Sequence, residues 1–101
     1  MAELVRQAQH ARTAGNLPEA LALCQKAVIL APKSPVVLYE AGLTALDGGN
    51  APLAEELLRK AIRISPAIPE LHFNLAQALT ASGNVRGAID AMRQGLALAP
   101  G

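Results

Sequence analysis

One dipeptide sets the length of the folding unit. Gly15-Asn16 recurs as Gly49-Asn50 and again as Gly83-Asn84, each 34 residues from the last. The same period carries Ala20 to Ala54 and Ala88, and Pro32 to Pro66 and Pro100. Other positions keep their character: Leu30, Ile64 and Leu98; Ala27, Ala61 and Gly95; Ala8, Gly42 and Ala76. A fixed period held across a whole chain is the mark of a stacked repeat array, in which no unit can bury its apolar face alone.

The punctuation inside each copy divides it into two helices. Glycine at 15, 49 and 83 follows an apolar-periodic stretch, where a helix end needs a residue free to enter the left-handed region. The asparagine after it can cap the next helix, and Asn16-Leu17-Pro18-Glu19 has capping-box spacing. Pro18 and Pro52 fall in a first turn, where the missing N–H costs nothing. Pro32, Pro66 and Pro100 end the second helices, and Ser34-Pro35 restarts the chain. The spacing predicts helices over 2–14, 17–31, 35–48, 51–65, 69–82 and 85–99.

Composition agrees with helix. Apolar residues make up 51% of the 101, yet Tyr39 and Phe73 are the only aromatics, so Ala, Leu, Ile and Val must build the core. Small residues at 8, 42 and 76 and at 20, 54 and 88 allow close helix approach. Leu4, Leu23, Leu38, Leu57, Leu58, Leu75 and Leu79 then fill the seams.

The period, the helix–turn–helix unit and the terminal prolines resemble the tetratricopeptide repeat, whose pattern runs W-x2-L-G-x2-Y…A-x3-F…P. Against it stand Leu4, Gln7, Ala8, Ala11, Ala20, Cys24 and Pro32 in copy one. Copy two has Leu38, Ala41, Gly42, Ala45, Ala54, Leu58 and Pro66. Copy three has His72, Leu75, Ala76, Leu79, Ala88, Met92 and Pro100. The large aromatics of the family are replaced throughout, which lightens the core without moving the register. The resemblance implies an all-α fold: a right-handed superhelical α-solenoid of three antiparallel hairpins and six helices. It forms one domain over 1–101, with repeats at 1–34, 35–68 and 69–101.

It also implies a binding surface, a concave groove lined by the first helix of each hairpin. In this sequence the groove positions include Val5, Gln9 and Arg12, then Val36, Tyr39, Leu43 and Leu46, then Phe73, Asn74 and Gln77. Tyr39, Leu43 and Leu46 run i, i+4, i+7, a stripe apart from the core stripe of Leu38, Gly42 and Ala45. Helix 35–48 is thus apolar on two faces. Tyr39 and Phe73 are expected either to anchor a ligand or to brace adjacent first helices. Relatives that clamp the carboxylate terminus of heat-shock chaperones place Lys and Asn or Arg in this groove; the comparable positions here are Val5, Gln9, Glu40, Glu70, Phe73, Asn74 and Gln77, of which only Asn74 is suggestive. The asparagine ladder of sugar-transferring relatives is replaced by Arg6, Glu40 and Asn74. An apolar or amphipathic peptide suits this groove better.

Other function classes find little support. Nine basic against eight acidic residues give a net charge of +1, too weak a field for nucleic acid. A single cysteine, Cys24, precludes an internal disulfide, and its position matches Leu58 and Met92, that of a buried hydrophobe. His72 takes the seam position that Leu4 and Leu38 hold in the other copies, whereas His10 reads as solvated. No metal-ligand cluster, phosphate loop or nucleophile–base arrangement stands out, so neither cofactor nor catalysis is expected. Neither a signal peptide nor an apolar run near the roughly 18–20 residues of a membrane span is evident, and a cytoplasmic location is the expectation.

The reading is therefore a non-catalytic scaffold for a protein or peptide partner. Two alternatives stay open. Short Ala- and Leu-rich arrays resemble N-terminal recognition segments of bacterial transferases. And Ile89, Met92 and Leu96 on the last helix point to uncapped repeat ends and self-association, closed as a dimer or open as a filament.

Overall fold

The structure is a computed structural model that describes residues 2–99. Six helices follow in order: α1 (Ala2–Thr13), α2 (Leu17–Leu30), α3 (Pro35–Asp47), α4 (Ala51–Ile64), α5 (Pro69–Ala81) and α6 (Val85–Leu98). Each ends one residue before the position expected from sequence, because the last expected residue is the cap rather than part of the helix. Pro100, expected to stop the last helix, lies outside the described residues.

The Gly-Asn dipeptide closes one helix and opens the next. Gly15 sits at φ 82°, and its N–H donates to the Arg12 carbonyl at 3.1 Å while that of Asn16 reaches back to Ala11 at 2.8 Å. These two bonds satisfy carbonyls that the helix end would otherwise leave bare. The Asn16 side chain then accepts from the Glu19 N–H, and its carbonyl accepts the first bond of α2 from Ala20. The Glu19 carboxylate does not return to the cap backbone as in a full capping box; it accepts from the Asn16 amide at 2.8 Å. Gly49-Asn50 and Gly83-Asn84 repeat the same bonds. Two residues thus fix the hairpin geometry three times.

The turns between hairpins differ. Ser34 caps α3 through its hydroxyl, which accepts from the Val37 N–H at 3.3 Å. Ile68 stands in that place before α5 and has no side-chain bond to offer. His72 compensates from within α5: its ring Nε2 lies 2.9 Å from the Pro66 carbonyl. A carbonyl only accepts, so the proton is on Nε2. The expected seam histidine is buried and holds a turn.

Packing follows the stacked order. Each helix packs on the next, and the first helices also touch one another, α1 against α3 and α3 against α5. The result is an all-α solenoid of three hairpins. Its core is alanine and leucine, with Ala20, Ala54, Leu58, Ala61 and Ala78 fully buried. Gly42 shows why a small residue belongs at its position. A Cβ there would stand 2.9 Å from Leu58 Cγ, so the leucine of α4 lies directly on the α3 backbone.

Candidate functional site

The first helices, α1, α3 and α5, present the residues expected to line a groove, and their N-terminal halves form two adjoining hollows. One is bounded by Ala2, Val5, Arg6, Gln9, Ser34, Val36 and Val37. The other is bounded by Pro35, Val36, Tyr39, Ile68, Glu70 and Leu71. Val36 is common to both and 62% exposed, a large apolar side chain presented to solvent. In the second hollow Glu70 is the only charged residue. Ile68 was missed from sequence, although an apolar residue at a cap position was a readable signal.

The remaining groove positions are placed less uniformly. Leu43 is half-buried, and Tyr39 and Leu46 are half-buried with part of their surface against the core. Asn74 is half-buried. Gln77 is exposed toward the far end, beside Ile89 and Met92 of α6. Phe73 shares the repeat position of Tyr39 but not its surroundings. A methyl group built on Gly95 of α6 would overlap the Phe73 ring, so the ring packs directly on its own hairpin partner. Copies one and two carry Ala27 and Ala61 where Gly95 stands; the missing methyl makes room for the ring. Phe73 therefore packs α5 against α6.

Arg12 is also committed. Its Nε donates to Glu40 at 2.7 Å, and Nη1 donates to Asp47 at 3.4 Å. The first contact is largely withdrawn from water, with side chains 16% and 7% exposed. The Glu40 hydrogen bond, opposed by desolvation, leaves the Arg12 guanidinium more firmly protonated than usual. This pair joins the first repeat to the second. Its signal was present, since the equivalents of Arg12 are Leu46 and Thr80, and only here does a charge occur at that position.

Cys24 offers no reactive centre. It is buried, and burial pushes its thiol pKa up, against a weaker opposing effect from Thr44, whose Oγ1 lies 3.5 Å from Sγ. Because the thiolate is the reactive form, Cys24 should react with a disulfide reagent such as DTNB at least about tenfold more slowly in native protein than in urea. Equal rates would show that the thiol is open to solvent. His10 is exposed. Among the described residues, no group of three or more His, Cys, Asp and Glu could hold a metal, and no helix is long and apolar enough to cross a membrane.

The tetratricopeptide repeat family model matches residues 4–35 and 39–101. No curated protein sequence matches the chain. Among solved structures, an O-GlcNAc transferase from Thermobaculum terrenum is 31% identical with a TM-score of 0.91; the match covers 98% of this chain and 19% of that one. The globular C-terminal domain of LpoP from P. aeruginosa is 28% identical at TM-score 0.84, covering 93% of this chain and 92% of that. The Sgt2 TPR domain from Aspergillus fumigatus superposes at TM-score 0.92 with 20% identity, covering 97% and 65%, and shows the fold alone. This chain thus spans about a fifth of the transferase and under two thirds of the Sgt2 chain. Period, Gly-Asn turns, stacked hairpins and the family match lead to one conclusion: the chain is a member of the tetratricopeptide repeat family.

Proposed function

We propose that the chain is a non-catalytic interaction scaffold that takes an apolar or amphipathic segment of another protein along α1, α3 and α5. The observation that carries this is the exposed Val36 shared by two hollows, the second almost wholly apolar. The surface is made of helices packed on one another, so a segment laid here would meet a preformed surface and lose little to reorganisation. Tyr39 supplies a large contact area at low entropic cost, the usual property of an anchor. Phe73, held against Gly95, is assigned the lesser share.

Peptides selected from a random library on the wild-type chain, then titrated against variants, test the reading. Tyr39→Ala and Val36→Asp should each weaken binding by roughly 1–2 kcal/mol, about tenfold or somewhat more. Phe73→Ala should cost stability before affinity. Unchanged affinity in both groove variants, with helical content intact, would remove the proposal.

The likeness to the transferase, at 31% identity over 98% of this chain, supports a second reading. On it, the repeats are the recognition segment of a larger enzyme whose catalysis lies elsewhere. The two readings share the same surface, and the reading frame beyond Gly101 separates them.

A further inference from the structure

The two hollows on the α1, α3 and α5 face are the same place in successive repeats. Ala2, Val5, Ser34, Val36 and Val37 of the first recur one period later as Val36, Tyr39, Ile68, Glu70 and Leu71 of the second. The fold makes this hollow twice, so the differences between the copies show how each is specialised. In the second, a tyrosine replaces a valine, an isoleucine replaces a serine, and a carboxylate stands where the first has the exposed Val36. The first hollow keeps the polar side chains of Gln9 and Ser34. Its one charged residue, Arg6, already meets Glu3 at 3.2 Å.

Apart from the Tyr39 hydroxyl, Glu70 is the only polar side chain of the second hollow. It is exposed, it makes no ion pair among the described residues, and no basic side chain lines the hollow with it. An acid in the first turn of a helix is favourable wherever it occurs. A lone carboxylate at the rim of an apolar hollow with an aromatic wall is a more particular arrangement. Aliphatic walls cover the methylenes of a lysine or arginine, an aromatic ring attracts its cation, and a carboxylate pairs with it. The hollow measures about 300 Å3, at the lower end of ligand-sized sites, which suits one long side chain. Val36 joins it to the first hollow, so a chain that crosses both can carry that side chain.

We propose that the hollow between α3 and α5 receives a single lysine or arginine of the partner segment, with Glu70 as its counter-charge. Val36 and Ile68 lie against its methylenes, and Tyr39 faces its charged end. This rests on the reading of α1, α3 and α5 as the binding face, and it adds that the segment is basic at one position rather than acidic. The first hollow, which no carboxylate lines, takes an uncharged side chain. The charge pair then sets the register in which the segment lies and rejects an acidic competitor.

Random peptides selected on the 101-residue chain should share a lysine or arginine at one position. Replacing that residue by methionine should weaken calorimetric binding to wild type about fivefold, and should have no further effect on binding to Glu70→Gln. Glu70→Lys should bind the original peptide at least about tenfold more weakly, and should recover when the basic residue of the peptide is made glutamate. That recovery separates pairing from a purely structural part for Glu70, which would move Tm without reversing the preference. Peptides that lose affinity in Tyr39→Ala yet share no basic residue, or bind Glu70→Lys undiminished, would overturn this inference and leave the binding face standing. Failure to select any peptide, or peptides indifferent to both Tyr39→Ala and Glu70→Lys, would overturn both.

Discussion

Leu58→Ala is expected to remove about 3–4 kcal/mol of stability, a large part of the roughly 5–15 kcal/mol available to a domain of this size. Leu58 is fully buried in the central hairpin. It lies against Gly42, which has no side chain to move into the space left behind. Truncation therefore removes both the transfer free energy of the lost carbons and the contacts across the cavity. The repeat provides a matched control. Met92 occupies the same position in the third copy but is 41% exposed, so Met92→Ala should cost under about 1 kcal/mol. Urea unfolding followed by helical circular dichroism measures both. Similar losses for the two variants would mean that stacking of α5 on α4 does not bury Leu58 as described.

The second large effect concerns the junction of the first two repeats. Arg12→Leu removes the guanidinium while Glu40 stays 5% exposed, and a carboxylate left without its partner there should cost about 2–4 kcal/mol. The contribution of Asp47 is small because its side chain is 46% exposed. The next junction suggests the rescue. There the equivalents of Arg12 and Glu40 are Leu46 and Asn74, an uncharged pair. Arg12→Leu combined with Glu40→Asn should thus lie within about 1 kcal/mol of wild type, giving a coupling near 2 kcal/mol in a double-mutant cycle. Additive losses would show that the two charges act independently. Such a pair adds little net stability over an apolar replacement, and its use would be to fix one register between neighbouring hairpins.

Much of the fold was legible because its instructions are local. Gly15-Asn16 and its two repeats determine where one helix stops and the next starts within a few residues of chain, and the prolines do the same for the turns between hairpins. The 34-residue period then gave the small positions and the seam leucines, while the contact of Leu58 with Gly42 is visible only in the structure. Legibility failed where a side chain depends on another helix. Arg12 and Glu40 are 28 residues apart, and their contact required the angle between α1 and α3. Phe73 was readable as an equivalent of Tyr39, yet its orientation is decided by the absence of a methyl group at Gly95. The hollow around Val36 arises from three helix N-termini together, which no single helix's periodicity displays.

The central claim, that α1, α3 and α5 form the binding face, has a built-in reporter. The chain has one tyrosine and no tryptophan, so intrinsic emission comes from Tyr39 alone among the groove residues. A library-selected peptide free of tyrosine and tryptophan should change Tyr39 emission saturably, with the same Kd as calorimetry gives. Binding by calorimetry without any change at Tyr39, and undiminished in Val36→Asp, would place the partner elsewhere and contradict the account.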